Sequence, residues 1–435
     1  MKKIIVAGAG HGGIVAAYHL AKAGYDVTVY EKNQREELGH DWHDYMDMTA
    51  FDGSDIPRPD ESLYRHGAHQ AFRNPKGNIK IEVAYKDDAR VMDRKVLYGY
   101  ILSLADEAGV KFVFGAEITG ALFDNRRILG IKLFNDGKTE NIYGDLVIDA
   151  AGMYSPVRRS LPALCDIQRD IAQKDIFHVY RAYFRNSEPV NIEPSYVMDL
   201  FHMNRPGLDW TIFEEDYTDI LLGKFGAAGE LTEEEIKSAL ESYKKDYPFI
   251  TDEIVRGGCV RDIPIGKMLP MIVANGYAAV GDSAAMTVPL NGSGINLSMN
   301  AGRILARTVI ENGGKTDKGT LWKYQRSYFL NLAKDYVLVA KLKDFFTFVD
   351  GSLVDYFLEE NILSAELLAC GNGDINIPAK QIFYIISKAA PLLKLTPAIV
   401  NNFKSLVNLP SVLKNMPEEY DDEKVNAWVE AYKKI

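Results

Sequence analysis

The sequence predicts an α/β protein in which a parallel-sheet domain, built from two separated segments, is interrupted by an antiparallel sheet and followed by helices. An apolar strand enters a glycine-rich turn at the N-terminus, and an apolar strand returns at 145–152. Residues 176–226 alternate like antiparallel strands. We place the parallel-sheet domain at 1–164 and 266–315, the inserted sheet domain at 165–265 and the helical region at 316–435.

A Rossmann-like unit begins the chain. Residues 3–7 form a short apolar run, and residues 8–13 read GxGxxG. A helical pattern then closes at Gly24, and residues 26–31 resemble a second strand that ends in an acid. This order of strand, glycine turn, helix and strand indicates dinucleotide binding, and a glycine turn that serves packing alone is the alternative.

Each position in this unit has a chemical reason. Gly8 permits the tight turn, Gly10 lets the backbone approach a pyrophosphate, and Gly13 lets the helix pack closely on the strand. The helix N-terminus offers free N–H groups to the phosphates. Glu31 would accept hydrogen bonds from a ribose diol and would repel a 2′-phosphate, so the site suits FAD or NAD better than NADP.

Composition excludes several classes of protein. The 435 residues carry a formal net charge of −10, which argues against a nucleic-acid partner. The three cysteines contain no CxxC pair, which fits a reducing compartment and excludes a disulfide scaffold. No apolar run approaches the ~20 residues that cross a bilayer. We therefore expect a cytoplasmic protein.

The middle of the first domain predicts a helix and then a meander. Residues 93–108 have helical spacing, with Asp93 as the N-cap and Gly109 after the last turn. Strand-like segments follow between 111 and 143, separated by Asn and Asp turns.

Three later motifs resemble those of the p-hydroxybenzoate-hydroxylase-like flavoproteins. Residues 152–159 are similar to the DG-x-x-S-x-x-R signature, with Ala151 in place of its Asp and Asp149 as the nearest acid. Gly281-Asp282 looks like the GD motif, and a Pro-Leu-Asn-Gly-Ser-Gly segment at 289–294 then leads into a helix. Within this superfamily, the GDSAAMTVPLNGSGINLSMNAG segment resembles the geranylgeranyl reductase family.

The resemblance implies an FAD-binding Rossmann-like domain. It implies that Asp282 contacts the ribityl chain, that Arg94 reaches FAD oxygens, and that the helix after residue 294 points at the flavin ring. A solvated surface position is the alternative for Arg94. The cofactor-binding residues that we predict are Gly8, Gly10, Gly13, Glu31, Arg94, Gly281, Asp282, Pro289, Gly292 and Gly294.

The substrate side is predicted from the inserted sheet and from one loop. The resembling family carries a Tyr-x-Trp-x-Phe-Pro motif, and Trp210 and Phe213 are the candidates here, although the Tyr and Phe-Pro are out of register. In the 38–46 loop, His43 and Asp44 are candidate proton donors, with a polar surface loop as the alternative. No ligand set for a metal is predicted.

The C-terminal third predicts helices. Helical periodicity spans Leu321 to Val349, and residues 379–394 and 396–408 are short amphipathic stretches. We favour a packed helical domain, with peripheral membrane contact as the alternative.

The resulting hypothesis is an FAD-dependent reductase of C=C bonds in an apolar, isoprenoid- or lipid-like substrate. Its external electron donor would be NAD(P)H or a ferredoxin- or flavodoxin-type protein. Two alternatives remain: a class A aromatic monooxygenase, and a non-catalytic protein that binds flavin or lipid.

Overall fold

The computed structural model describes residues 2–67, 70–83, 89–125, 127–135, 137–369, 384, 387–388 and 397–435. The strands are β1 Lys3–Ala7, β2 Asp26–Glu31, β3 His43–Asp47, β4 Tyr64–His66, β5 Gln70–Arg73, β6 Lys80–Val83, β7 Ala89–Asp93, β8 Lys111–Phe114, β9 Glu117–Asp124, β10 Arg127–Asn135, β11 Lys138–Tyr143, β12 Leu146–Asp149, β13 Ile176–Asn186, β14 Tyr196–Leu200, β15 Leu208–Phe213, β16 Tyr217–Phe225, β17 Ile250–Pro264, β18 Val273–Ala274 and β19 Tyr277–Ala279. The α-helices are α1 His11–Lys22, α2 Thr49–Ser54, α3 Arg94–Glu107, α4 Pro156–Ser160, α5 Glu233–Asp246, α6 Ile295–Glu311, α7 Lys318–Tyr328, α8 Lys334–Phe345, α9 Gly351–Glu359, α10 Ala365–Ala369, α11 Pro397–Lys414 and α12 Asp422–Lys433.

The first sheet is mostly parallel and has the order β18-β19-β12-β1-β2-β8. Its central strands, β1 and β12, are paired in parallel with Val6 opposite Ile148. Residues 4–7 of β1 and 146–148 of β12 are apolar and fully buried, as expected for parallel strands that are covered on both faces. The chain leaves this sheet after β12 and returns at β19, so that three motif-bearing turns follow the carboxyl ends of neighbouring strands.

The second large sheet has seven strands in the order β17-β13-β16-β15-β14-β5-β6. The alternating residues from 176 to 226 form four of these strands, and β17 extends the sheet at one edge. At the other edge the sheet takes in β5 and β6, which belong to the part of the chain before residue 164. The pairing of β5 with β14 is parallel and joins residues more than a hundred positions apart. The sheet therefore extends beyond the segment from 165 to 265.

Two small three-stranded sheets complete the β structure. The meander of β9, β10 and β11 occupies the predicted segment, with antiparallel pairing throughout. The other sheet joins β3, β7 and β4. The predicted 38–46 loop is a strand from His43 onward, because the backbone of β3 pairs with that of β7.

Helices of the last third cover both large sheets. α7, a π-helical turn at Phe329–Ala333 and α8 run on as one helical stretch, which agrees with the periodicity from Leu321 to Val349. The amphipathic stretch at 396–408 falls in α11 from Pro397 onward, and its first residue lies outside the described residues. The stretch at 379–394 lies outside the described residues apart from 384, 387 and 388. Within the described ranges, no helix combines the length and apolarity needed to cross a membrane. The architecture confirms the predicted α/β class with an antiparallel sheet and C-terminal helices.

Candidate functional site

The glycine turn after β1 is packed too closely to hold side chains. Gly8 has a φ of +88°, and a Cβ atom there would lie 2.6 Å from the carbonyl oxygen of Ala150. A Cβ atom on Gly13 would lie 2.5 Å from the Cβ of Ala150. Gly10 is the N-cap of α1, and no described side chain caps this helix end. The first N–H groups and the positive end of the helix dipole therefore remain available to an anionic ligand.

Glu31, at the end of β2, holds this turn in place. One carboxylate oxygen accepts a hydrogen bond from the N–H of Ala9 at 2.9 Å, and the other accepts one from the N–H of Asn33 at 2.9 Å. The side chain is buried, so these charge-assisted bonds are well shielded from water. The structure thus brings Glu31 next to the glycine turn, as the GxGxxG pattern predicts.

The segment after β12 clamps the motif that follows β19. Ser155 caps α4 through the N–H of Arg158 and donates a hydrogen bond to Asp149 at 2.6 Å. The fully buried guanidinium of Arg158 donates to three backbone carbonyls, one of which belongs to Ser283, at 2.6 Å. The residues that resemble the DG-x-x-S-x-x-R signature therefore position the Gly281 turn through buried hydrogen bonds.

Asp282 lies in that turn, which is a 3-10 helix at Gly281–Ala284, and Gly281 has a φ of +64°. Within the described ranges, no group donates a hydrogen bond to the Asp282 carboxylate. Burial raises the pKa of Asp282, and the positive charge of Arg94 offsets only part of this effect. A half-buried carboxylate without a protein donor costs free energy, so this site is suited to a ligand that carries hydroxyl groups.

The loop that contains Pro289 and Gly292 leads to the N-terminus of α6. Gly292 has a φ of +72°, and Gly294 is the N-cap of the helix. No described side chain caps α6, and no acid lies in its first turn. A second positive helix end therefore faces the same region as α1.

The two helices approach each other through glycine. A Cβ atom on Gly12 would lie 2.5 Å from the carbonyl oxygen of Ser298. A Cβ atom on Gly302 would collide with the carbonyl oxygen of Gly12 and lie 3.0 Å from the nitrogen of Ala16. Only glycine fits at this crossing. Sequence reasoning did not identify Gly12 and Gly302 as a pair, because the contact joins two helices that are far apart in the sequence.

A cavity of about 500 Å³ lies beside the N-terminus of α6. Its lining includes the aromatic residues Trp42, Tyr45, Tyr196, Trp210 and Tyr336. Exposed lining residues, among them Thr49, Ser293, Asn331 and Asp335, mark its open end. The cavity thus lies between the β3 strand, the seven-stranded sheet, the 289–297 segment and the start of α8.

The structure separates the two predicted substrate residues. Trp210 lines the cavity. Phe213 does not line it: its ring packs 4.8 Å from Tyr247 and 6.1 Å from Phe249, measured between centroids. The two residues are three positions apart on one strand, and alternate residues of a strand point to opposite faces. Phe213 therefore lies outside the lining of this cavity.

Two ion pairs, one half-buried and one buried, lie next to the Trp42 ring in the cavity wall. Arg94 donates two hydrogen bonds to Asp44, at 2.6 and 2.5 Å, and Arg181 donates two to Asp219, at 2.9 and 2.6 Å. The guanidinium carbons lie 5.3 and 5.4 Å from the Trp42 ring. Sequence reasoning did not assign a role to Arg181, although an arginine among the apolar residues of its strand was an available signal.

Asp44 and His43 differ in their electrostatics. Burial favours the neutral form of Asp44, but the charge and hydrogen bonds of Arg94, together with the charge of Arg181, outweigh it and lower the pKa of Asp44. Burial and the nearby Arg256 lower the pKa of His43. Arg256 donates to the Nε2 atom of His43 at 2.8 Å, so this nitrogen carries no proton. At neutral pH Asp44 is therefore ionised and His43 is neutral.

Metal chemistry finds no support in this part of the molecule. Across the ranges that the structure describes, no group of three His, Cys, Asp or Glu side chains is arranged to hold a metal ion. His40 stacks on Trp42 at 4.6 Å, and Asp44 is occupied by Arg94.

The parallel sheet, the uncapped α1 end, Glu31 and the turn after β19 are the features of a dinucleotide-binding protein. The sequence model of the FAD dependent oxidoreductase family matches residues 53–308, and that of the NAD(P)-binding Rossmann-like domain matches residues 6–81. The chain belongs to the FAD-dependent oxidoreductase family.

Relatives of nearly full length are known. The chain is 26% identical over 392 residues to digeranylgeranylglycerophospholipid reductase 2 of Methanococcoides burtonii, covering 88% of this chain and 91% of the relative. It is 21% identical to digeranylgeranylglycerophospholipid reductase of Sulfolobus acidocaldarius, covering 96% of each chain. Among solved structures, a geranylgeranyl bacteriochlorophyll reductase-like protein from Thermoplasma acidophilum superposes with a TM-score of 0.74 at 19% identity, covering 94% of this chain and 99% of that one. Flavin-dependent brominase Bmp2 has the same fold, with a TM-score of 0.64 at 14% identity and coverage of 90% of this chain and 99% of that one.

The residues present fit FAD. The glycine turn packs directly on Ala150, and the N–H groups at the start of α1 are uncapped and suited to phosphate. Asp282 offers a half-buried acceptor without a donor from the described protein, which suits a polyhydroxyl chain.

Glu31→Ala should weaken FAD retention by about tenfold or more, because it removes two buried charge-assisted hydrogen bonds that shape the turn. The same direction is expected for Asp282→Ala. The measurement is the flavin-to-protein absorbance ratio after gel filtration, followed by titration of apoprotein with FAD. Glu36→Ala, an exposed acid nearby, is the control. Unchanged flavin retention in Glu31→Ala would contradict the assignment.

Proposed function

We propose that this chain is an FAD-dependent reductase that saturates C=C bonds in an apolar, isoprenoid- or lipid-like substrate. The observation that carries the proposal is the cavity beside the α6 N-terminus, with an aromatic inner wall suited to an apolar chain. The near full-length likeness to reductases whose names specify an isoprenoid lipid supports this substrate class. The cytoplasmic location belongs to the same proposal, and so does a packed C-terminal helical domain, with peripheral membrane contact as the alternative.

The residues that would hold FAD lie around the uncapped N-termini of α1 and α6. The Gly8, Gly10 and Gly13 turn would bind the pyrophosphate, Glu31 the ribose, and Asp282 the ribityl chain. The end of α6 would favour negative charge on the ring. When bound, FAD supplies the hydride for reduction of the double bond.

Asp44 has a positioning role in this proposal rather than the role of a proton donor. Its two hydrogen bonds keep Arg94 beside the cavity and near Asp282, and an ionised acid with a lowered pKa is a poor source of protons. His43 is a poor donor for a different reason, since its lowered pKa keeps the ring neutral and its Nε2 atom accepts from Arg256. Tyr45 and Tyr196, whose rings lie 4.8 Å apart in the lining, are the hydroxyl donors that we propose instead.

The test is an anaerobic single turnover. Protein reduced by dithionite is mixed with a geranylgeranyl lipid, and the return of flavin absorbance and the lipid mass are followed. We expect reoxidation together with a gain of one hydrogen molecule per double bond. Trp210→Leu should slow reoxidation about tenfold, because it opens the apolar wall. Phe213→Leu removes an aromatic ring from the other face of β15 and should leave the reoxidation rate unchanged.

The fold is shared with brominases and hydroxylases, so a class A aromatic monooxygenase is the second candidate. It requires NAD(P)H oxidation in air with gain of an oxygen atom in the product or release of hydrogen peroxide. The same assay identifies the electron donor. Rapid flavin reduction by NAD(P)H alone would identify NAD(P)H as the donor, whereas reduction only by a ferredoxin- or flavodoxin-type protein would identify such a protein as the donor. Flavin that cannot be reduced and reoxidised would indicate a non-catalytic binding protein and contradict the proposal.

A further inference from the structure

The charges around the cavity do not match a phosphate-bearing lipid. Both arginines of the lining, Arg94 and Arg181, already donate two hydrogen bonds to a carboxylate. Among the lining residues that the structure describes there is no further arginine and no lysine. Phosphate recognition in proteins relies on such cations, and here each is neutralised by its own acid.

The remaining charged side chains of the lining are acids. Asp47 accepts one hydrogen bond, from the backbone N–H of Thr49 at 2.8 Å, and within the described ranges it has no cationic partner. Asp335 is exposed at the first turn of α8 and likewise pairs with no described cation. These two carboxylates leave the cavity with an uncompensated negative charge of about two at neutral pH.

The other polar groups of the open end are uncharged. Thr49, Ser293, Asn296 and Asn331 all line the cavity, and the Asn296 amide donates to the Thr49 hydroxyl at 2.9 Å. Carboxylates, amides and hydroxyls provide both acceptors and donors for alcohol groups. The combination therefore suits a hydroxyl-bearing head and repels an anionic one.

We infer that the cavity selects a neutral, hydroxyl-bearing lipid, such as a glycerol diether without phosphate, and that Asp47 and Asp335 determine this selectivity. The inference rests on the proposed function for the identity of the apolar chains. It departs from the phospholipid substrates that the names of the relatives specify.

The test compares two probes with identical chains: digeranylgeranylglycerol and its phosphate monoester, both in the same neutral detergent. Binding to the holoenzyme is followed by quenching of tryptophan fluorescence, since Trp42 and Trp210 line the cavity. We expect the neutral lipid to bind about tenfold more tightly at low salt, because two like charges face the phosphate. Higher salt should narrow this difference.

The double variant Asp47→Asn/Asp335→Asn should reduce the preference to within about twofold, because it keeps the size of both side chains and removes their charge. Asp106→Asn, on an exposed surface pair with Arg35, should keep the preference of the unmodified protein. Equal or tighter binding of the phosphate, an unchanged preference in the double variant, or no binding of either lipid would overturn the inference. Selective binding of the neutral lipid without its reduction would support the inference and defeat the proposed reductase function.

Discussion

Asp149→Ala should lower the free energy of unfolding by about 3–6 kcal/mol and lower flavin retention as well. The carboxylate is fully buried and accepts hydrogen bonds from the hydroxyls of Ser155, Tyr277 and Ser283, at 2.6, 2.9 and 3.0 Å. It also accepts one from the N–H of Ala151 at 3.1 Å. Alanine would leave buried donors without acceptors, at roughly 1–3 kcal/mol each.

The measurement is the midpoint of thermal unfolding together with the flavin-to-protein ratio. The thermal midpoint of Asp149→Asn should lie between those of Asp149→Ala and the unmodified protein. The amide oxygen still accepts hydrogen bonds, and the hydroxyls can turn to accept from the NH₂ group. Asp106→Ala, which removes an exposed ion pair with Arg35, should change stability by less than about 1 kcal/mol. A midpoint for Asp149→Ala that matches this control would disprove the role of Asp149 as the clamp between the motifs.

Gly302→Ala should also be strongly destabilising, by about 1–3 kcal/mol or more. The added methyl group would collide with the carbonyl oxygen of Gly12 and lie 3.0 Å from the nitrogen of Ala16. Both contacts are with backbone, so relief requires that α1 and α6 move apart. Since both helix ends border the cofactor site, FAD affinity should fall together with stability.

Gly99→Ala is the matched control for this change. Gly99 lies in the exposed part of α3, and a Cβ atom there meets nothing within 4 Å. Alanine should stabilise this helix by roughly 0.5–1 kcal/mol. Urea unfolding and FAD titration of the two apoproteins compare the same chemical change at a crowded and at an open site. If Gly302→Ala had the same stability and FAD affinity as Gly99→Ala, the helix crossing would tolerate a side chain and this prediction would be wrong.

Much of the cofactor region was predictable from the sequence because its signals are local. The GxGxxG turn, its flanking strands and Glu31 lie within one short segment, and the N-cap Asp93 accepts a hydrogen bond from the N–H only two residues further on. Backbone propensity and capping chemistry act over such distances, so a linear pattern records them directly.

The clamp around Asp149 illustrates what the pattern alone left open. The resembling signature has an acid where this chain has Ala151, and sequence reasoning treated this as a departure. The structure shows that Asp149, two residues earlier, bonds the serine of the same motif and the Ser283 hydroxyl of the next motif. Residues two positions apart on a strand point to the same face, so an acid at 149 faces the same way as one at 151 would.

The sequence by itself determined the fold class, the order of its segments, the glycine turn and the acid that follows it. Tertiary structure alone decided that Trp210 reaches the cavity while Phe213 packs behind the sheet, and that Asp44 neutralises Arg94. It also decided that β5 and β6 join a sheet formed by residues far along the chain, and that Gly12 meets Gly302. The first group depends on interactions between near neighbours, whereas the second depends on which distant surfaces are buried together, and no local pattern specifies that choice.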